Sequence, residues 1–328
     1  MPTGTVPATL TELDRRILAA LAVHGRASWA HVARALGAAE STVARRAQRL
    51  IDDRLVHVVG LADPMRCGLG QSHWVYLRCR PGQAATVARG LAERRDARLV
   101  VRLSGSYDIV TELIVPTTRE LARVLDDEIG QLPGVTATTT ETVLRNFKLD
   151  WGWAAQVLGD DVAARLRPAA SATPDTNEVL ELDALDHALL ADLTADGRRG
   201  NVDLAERHRV SESMVSRRIN RLIERRALAF APQIDPALLG FGLEAFVRLR
   251  VRLGEIEAVA ASLCGHAPVR YVSVTTGTSD VSCEVVLADI DALYRFLAET
   301  LAALPGINSV ETSVVLDTHK RAYQRRDV

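Results

Sequence analysis

Apolar positions along the first half of the chain change period, and each change marks an element. Leu13, Ile17, Leu18 and Leu21 recur at i, i+4, i+5 and i+8, which predicts an amphipathic helix ending near Gly25. A second short helix is expected over Trp29–Leu36. After a turn at Gly37, residues 41–55 predict a third helix, with Val43, Ala47, Leu50 and Ile51 inward. Its outward residues are Ser41, Thr42, Arg45, Arg46 and Arg49. Residues 56–61 are extended and predict a small wing. From Ser72 the period drops to two. Residues 73–77 alternate as a strand and 83–92 are helical. Residues 99–103 and Ile109–Val115 are strands joined across Gly105-Ser106-Tyr107-Asp108. Residues 121–129 are helical again, Leu132-Pro133-Gly134 breaks them, and 136–144 form a last strand. The order βαββαβ is a ferredoxin-like sandwich. Its helix-free face needs burial, usually against a second sheet, so such modules are expected to pair.

The same series then occurs again. Sliding the chain by 172 residues aligns Leu13 to Lys148 with Leu185 to Lys320 without a gap, and 44 of the 136 pairs are identical. Leu13-Asp14 matches Leu185-Asp186, and Gly25-Arg26 matches Gly197-Arg198. Arg45, Arg46 and Arg49 match Arg217, Arg218 and Arg221, with Ser41 opposite Ser213. Gly105 and Asp108 match Gly277 and Asp280. A period this long is a duplication, not a solenoid, so each copy can hold its own cores. The expected fold class is therefore α+β: two winged helix-turn-helix domains (10–62 and 182–234) alternating with two ferredoxin-like domains (70–148 and 242–320). Between the copies, 149–181 is a linker that carries Trp151 and Trp153, a short helical stretch to Arg167, and a flexible run from Pro168 to Pro174. The tryptophans are expected to dock it on a domain.

Composition narrows the function. With 48% hydrophobic and 25% charged residues the chain has globular character, and it lacks an apolar run of membrane-spanning length. Cys67, Cys79, Cys264 and Cys283 are scattered without a CxxC pair, which argues against a zinc site or disulfide framework and for a reducing, cytoplasmic setting. The net charge of −1 hides a contrast. Residues 13–56 hold eight arginines against four acids, whereas 150–183 hold two against seven. A basic footprint on one module suits a DNA binder. Arginines and small hydroxyls at the start of a third helix are what a recognition helix places on phosphates and base edges. Catalytic patterns are missing: His73 has no triad-like context, and no phosphate loop, metal-spaced set or GxGxxG follows a strand. No metal and no cofactor are expected.

Taken together, the chain resembles the Lrp/AsnC (leucine-responsive, feast/famine) regulator family, twice over. The resemblance rests on Leu13-Asp14-x-x-Ile17-Leu18, on Ser41-x-Val43-x-x-Arg46-x-x-Arg49-Leu50, and on Gly105-x-Tyr107-Asp108. Leu132-Pro133-Gly134-Val135 and Thr140-x-x-Val143-Leu144-x-x-x-Lys148 complete it. The resemblance implies a transcriptional regulator that binds double-stranded DNA and is controlled by an amino acid or related metabolite. The effector would sit between paired effector (RAM-type) domains near the Gly-x-x-Asp turn. There glycine permits close backbone approach and a carboxylate can pair with an α-amino group. Expected DNA contacts are Ser41, Thr42, Arg45, Arg46, Arg49, Ser213, Arg217, Arg218 and Arg221. Expected effector contacts are Gly105, Tyr107, Asp108, Gly277, Ser279 and Asp280, although Asp108 and Asp280 equally suit a turn-closing bond to backbone. Homo-oligomers through the effector sheets are also expected.

The two copies differ in ways that predict unequal behaviour. Tyr107, Thr42, Gly37 and Ala39 of copy one are Ser279, Met214, Arg209 and Ser211 in copy two, where Ser211 makes a good N-cap. Residues 185–228 carry nine arginines against seven acids, so weaker DNA binding is expected of copy two. Two other readings compete. Siroheme decarboxylases share this plan, but the stretch from Arg102 to Tyr107, where they bear histidine, has none here. A sensor whose helix-turn-helix modules have become protein-binding surfaces is the other.

Overall fold

The computed structural model describes residues 10–149, 152–167 and 179–325. Copy one runs α1 (Glu12–Val23), α2 (Trp29–Leu36), α3 (Glu40–Asp52), β1 (His57–Ala62), β2 (Gln71–Cys79), α4 (Ala84–Glu93), β3 (Ala97–Leu103), β4 (Ile109–Val115), α5 (Thr118–Arg123) and β5 (Val135–Leu149). A 3-10 turn (Gly152–Val157) and α6 (Asp160–Leu166) follow. Copy two repeats the order as α7 (Ala184–Ala195), α8 (Asn201–His208), α9 (Glu212–Glu224), β6 (Leu228–Gln233), β7 (Leu243–Val251), α10 (Ile256–Cys264), β8 (Val269–Thr275), β9 (Val281–Leu287), α11 (Ile290–Arg295) and β10 (Ile307–Arg321), then β11 (Gln324–Arg325). In both copies the last helix continues as one π turn, Val124–Ile129 and Phe296–Leu301. Among the described residues no helix is long and apolar enough to cross a membrane.

These elements gather into two compact units, each built from both copies. The first holds the described residues up to Cys67 and those of 152–239. Its cores follow the apolar stripes: Ile17, Leu18 and Leu21 on α1, then Val43, Ala47 and Leu50 on α3, are buried. Leu189, Leu190, Leu193, Val215, Ile219 and Leu222 do the same in copy two. The expected wing is present as a strand but has a different role. β1 pairs antiparallel with β6 of the other copy, from His57 opposite Gln233 to Ala62 opposite Leu228. Five of its six residues are buried, so it is not free to lie along DNA. The approach of the two copies explains Gly25 and Gly197. A Cβ on Gly197 would stand 2.8 Å from the Val59 carbonyl carbon, and one on Gly25 would stand 3.2 Å from Phe230 Cβ.

The segment after β5 docks on copy one of this unit. Trp153, Ala154, Ala163 and Leu166 are buried. His24 Nδ1 donates to the Leu166 carbonyl at 3.2 Å and His31 Nε2 to the Arg165 carbonyl at 2.9 Å. A carbonyl only accepts, so these bonds fix the proton on Nδ1 of His24 and on Nε2 of His31. Trp153 thus anchors the segment as expected. Trp151 and the 168–174 run lie outside the described residues.

The second unit holds residues 68–149 and 240–325. Each copy forms its sandwich, with helices over one sheet face. The first core contains Val75, Leu77, Leu91, Val100, Ile109 and Ile129; the second contains Val247, Leu249, Leu263, Val272, Val285 and Phe296. The last strands are 15 residues long because each serves two sheets. β5 pairs with β2 through Thr142 and then with β8 from Val143 onward. β10 likewise leaves β7 at Val314 and joins β3 at Val315. The exchange closes a ring of eight strands, β10-β3-β4-β2-β5-β8-β9-β7, with β7 back against β10. Trp74, Tyr76, Leu99, Val101, Val110, Phe246 and Tyr271 fill it. The Trp74 ring meets Phe246 and Tyr271 edge-on at 5.7 and 5.4 Å, the geometry aromatic quadrupoles favour. The helix-free faces are therefore buried against each other inside one chain. The pairing expected of these modules is thus met within one chain, which covers the apolar face without a second molecule.

Candidate nucleic-acid interface and effector sites

The outward face of α3 is set by a buried acid on α1. Asp14 is fully buried and completes a capping box with Thr11, whose hydroxyl accepts from the Asp14 N–H at 3.3 Å. Arg46 Nη1 reaches Asp14 Oδ1 at 3.0 Å and Thr11 Oγ1 at 3.0 Å, and Arg49 Nη2 reaches Asp14 Oδ2 at 2.9 Å. Burial alone would raise the Asp14 pKa; hydrogen bonds from Thr11 and Arg46 and the Arg46 charge outweigh it and hold the carboxyl below its ordinary range. Copy two repeats the device. Arg218 Nη1 lies 2.6 Å from Asp183 Oδ2 and 3.0 Å from Asp186 Oδ1, and Arg221 lies 3.5 Å from Asp186 Oδ2.

The nine residues expected at DNA thus fall into two groups. Arg46 and Arg218, both about a quarter exposed, tie the third helix to the first. Arg49 and Arg221 share those acids while about half of each side chain stays in solvent. Arg45, Arg217, Ser41 and Ser213 are exposed, and Thr42 is partly buried. In copy two, Ser216 and Asn220 line a shallow hollow with Ser213, Arg217, Arg221 and Glu224. Sequence reading missed Ser216 and Asn220, though both follow Ser213 at helical spacing. Ser211 caps α9 by accepting from the Met214 N–H at 3.2 Å, whereas Ala39 leaves α3 without a side-chain cap. Arg209 adopts the left-handed conformation of Gly37, with φ +57°.

The turn glycines Gly105 and Gly277 have φ of +101° and +98°, a region that favours glycine. The two aspartates close the turns. Asp108 Oδ2 accepts from the Cys79 N–H at 2.7 Å, and Asp280 Oδ2 accepts from the Val251 N–H at 2.8 Å. Each turn faces the last strand of the other copy, and there the symmetry fails. Glu141, fully buried on β5, fills the space beside Gly277, where a Cβ would lie 3.0 Å from its Cγ. Its carboxylate accepts from Arg248 Nη2 at 2.8 Å, Thr278 Oγ1 at 2.9 Å and Ser279 Oγ at 2.9 Å. Arg248 in turn stacks over the Tyr76 ring at 4.3 Å. At the other turn the counterparts are Ser313 for Glu141 and Tyr76 for Arg248, with Ser313 Oγ nearest Gly105. Tyr107 there lies half-buried, its ring 5.2 Å from Tyr76 and its hydroxyl 3.3 Å from Thr139 Oγ1. Among the described residues no cluster of His, Cys, Asp and Glu has the makings of a metal site.

Known proteins match this arrangement in duplicate. The AsnC-type helix-turn-helix domain matches residues 10–51 and 182–223, and the Lrp/AsnC ligand binding domain matches 74–151 and 244–324. An uncharacterised HTH-type transcriptional regulator of Pyrococcus horikoshii is 33% identical over 147 residues, 44% of this chain and 93% of that protein. The leucine-responsive regulatory protein of Rhizobium meliloti is 30% identical over 149 residues, 44% of this chain and 96% of that protein. The siroheme decarboxylase NirDL superposes over 95% of this chain and 93% of its own, with a TM-score of 0.60 and 15% identity, a likeness of fold alone. On both domain matches and on these relatives, the chain belongs to the Lrp/AsnC family, carrying the family's helix-turn-helix and ligand-binding domains twice in one polypeptide.

Proposed function

We propose that the chain is a sequence-specific DNA-binding transcriptional regulator controlled by an amino acid or related metabolite. The observation that carries the reading is the face of α3 and α9. On each, an arginine with no ion-pair partner among the described residues (Arg45, Arg217) projects beside a hydroxyl and a half-exposed second arginine. Arg45 and Arg217 meet phosphate or guanine, where a guanidinium fork matches the acceptors. Ser41, Ser213 and Asn220 reach base edges, and Arg46 and Arg218 act indirectly by fixing the helix on its support. The tandem chain carries both recognition helices in one unit, so it reads two half-sites without a second molecule. Met214 and Asn220 in copy two stand where copy one has Thr42 and Gln48, so the half-sites differ. Selection of bound duplexes from a random pool tests this. The reading expects two unlike half-sites at a fixed spacing, and enrichment of no sequence overturns it.

The effector acts in the ligand-binding unit near the Gly105 turn, lined by Tyr107 and Ser313, with Asp108 holding the turn rather than the ligand. The NirDL likeness motivates one control. Incubation with siroheme should leave the haem absorbance unshifted, and a shifted band with loss of carboxylate would move the assignment to an enzyme.

A further inference from the structure

Duplication supplies an internal control that a symmetric dimer lacks: two versions of one site in the same fold. The version at the Gly277 turn holds a carboxylate, a guanidinium and two hydroxyls joined through Glu141; Glu141, Arg248 and Ser279 are buried, and Thr278 stands exposed at the rim. Glu141 is 0% exposed and Arg248 6%. The version at the Gly105 turn, with Ser313 and Tyr76 in the same places, has no ion pair at these positions; the guanidiniums near it are Arg248 and Arg78, over the Tyr107 ring at 5.3 and 5.5 Å. The fold therefore does not need the ion pair, and a buried pair is weak evidence for stability as such. What the pair does is fill a cradle. Glu141 enters from the strand opposite, exchanged from the other copy, and its head accepts from three donors, as a small-molecule carboxylate would. Glu311 Oε2, 3.1 Å from Arg248 Nη1, fixes the other side of the guanidinium. Removing Glu141 would leave Arg248 Nη2, Thr278 Oγ1 and Ser279 Oγ around a hole of carboxylate size.

We propose that Glu141 is a built-in occupant of the site at the Gly277 turn, standing where an external carboxylate would bind, so that this site takes no effector and metabolite control is confined to the Gly105 turn. The second half rests on the regulator reading above; the first half does not, and its test involves no DNA.

The experiment compares the full-length chain with Glu141→Ser, the residue the equivalent position already carries. Thermal unfolding is followed in sodium acetate and in sodium chloride at equal ionic strength. The unsubstituted chain should melt at the same temperature in both salts. Glu141→Ser should melt lower by about 5–15 °C in chloride, as breaking a buried pair implies, and acetate should restore part of the loss with saturation. A Glu141→Ser/Arg248→Tyr chain, which copies the other site, should fold and show no acetate response. Equal acetate shifts in the unsubstituted and single-variant chains, or no acetate effect on the single variant, would overturn the proposal. Should the single variant fold only in acetate, the proposal stands; folding in neither salt while the double variant folds overturns it.

Discussion

Arg26 and Arg198 occupy equivalent positions in the two copies, and each binds the turn that carries the other. Arg26 Nη1 donates to the Gly197 carbonyl at 3.0 Å, and Arg198 Nη1 donates to the Gly25 carbonyl at 2.7 Å. Arg26 also reaches the Arg199 carbonyl and Asn201 Oδ1, and Arg198 reaches the Ala27 carbonyl. Both stack on aromatic rings of the opposite copy, Arg26 over Phe230 at 5.0 Å and Arg198 over Trp29 at 4.0 Å. Burial and then the neighbouring Arg26 charge push the Arg198 pKa down to about 10, against the pull of Asp196. Two like charges held this closely are tolerated because carbonyls and ring faces surround them.

This exchange predicts that Arg26→Ala destabilises the unit in which the two helix-turn-helix modules pack together. Two carbonyls lose charged donors, and the loss should be about 2–3 kcal/mol. Arg26→Lys should recover less than half of it, since an ammonium lacks the fork and stacks poorly. Chemical unfolding of each variant measures both values; equal stability of all three chains would show that the exchange does not hold the modules.

The two groups of recognition-helix arginines predict opposite phenotypes. Arg45→Ala and Arg217→Ala should weaken DNA binding at unchanged melting temperature, each lowering the salt slope by about one if it meets a phosphate. Arg46→Ala should instead cost up to about 3 kcal/mol of stability, because Asp14 is buried and keeps Arg49 as its one ion-pair partner among the described residues, beside the Thr11 hydrogen bonds. Melting curves and binding isotherms on the same preparations separate these outcomes. Point variants are the proper tool, since the shared β1–β6 ribbon and exchanged last strands leave neither copy self-contained.

The turn aspartates give a similar separation. Asp108→Asn keeps an oxygen for the Cys79 N–H and should be nearly neutral, whereas Asp108→Ala strands that donor and should cost about 1–3 kcal/mol. An Asn variant of normal stability that has lost effector response would instead return Asp108 to the ligand site.

Much of the architecture was legible along the chain. Trp29–Leu36 and Ile109–Val115 follow from periodicity to the residue, because an apolar stripe is a local signal. The five-residue extension of the last strand past Leu144 was not, since its partner is β8, far along the sequence and in the other copy. The wing was placed correctly but misread in role for the same reason. The structural role of Arg46 was hidden because its partner Asp14 lies 32 positions earlier. The retention of both residues in both copies was the available signal. Glu141 opposite Ser313 and Tyr76 opposite Arg248 were ordinary mismatches until the fold brought Glu141 and Arg248 together.

Arg209 predicts a stabilising change. A side chain in the left-handed region costs about 1 kcal/mol relative to glycine, so Arg209→Gly should raise stability by about that much. A lower melting temperature would show that the Arg209 side chain contributes more than its backbone costs.

Acidification should loosen the docked 152–167 segment. Burial lowers the pKa of His24 from its ordinary 6.5, against the opposing pull of the Leu166 carbonyl. The unfolded chain therefore binds more protons in the window just below pH 6.5. Stability from this group is present above that value and is lost as pH falls toward the folded pKa. His73, buried on β2, acts in the same direction. His24→Asn, a non-titrating donor, should flatten part of the dependence when melting temperature is followed from pH 7.5 to 5; an unchanged profile would assign the dependence elsewhere.

The central claim is that both recognition helices of one chain engage DNA. Fluorescence anisotropy on the chain's own upstream intergenic duplex, between about 50 and 200 mM salt, tests it most directly, with Arg45→Ala, Arg217→Ala and the double variant beside the unsubstituted chain. The account predicts preference over an unrelated duplex, affinity that falls with salt, a partial loss in each single variant and a near-complete loss in the double. Equal affinity for both duplexes, or single and double variants that bind like the unsubstituted chain, would contradict it.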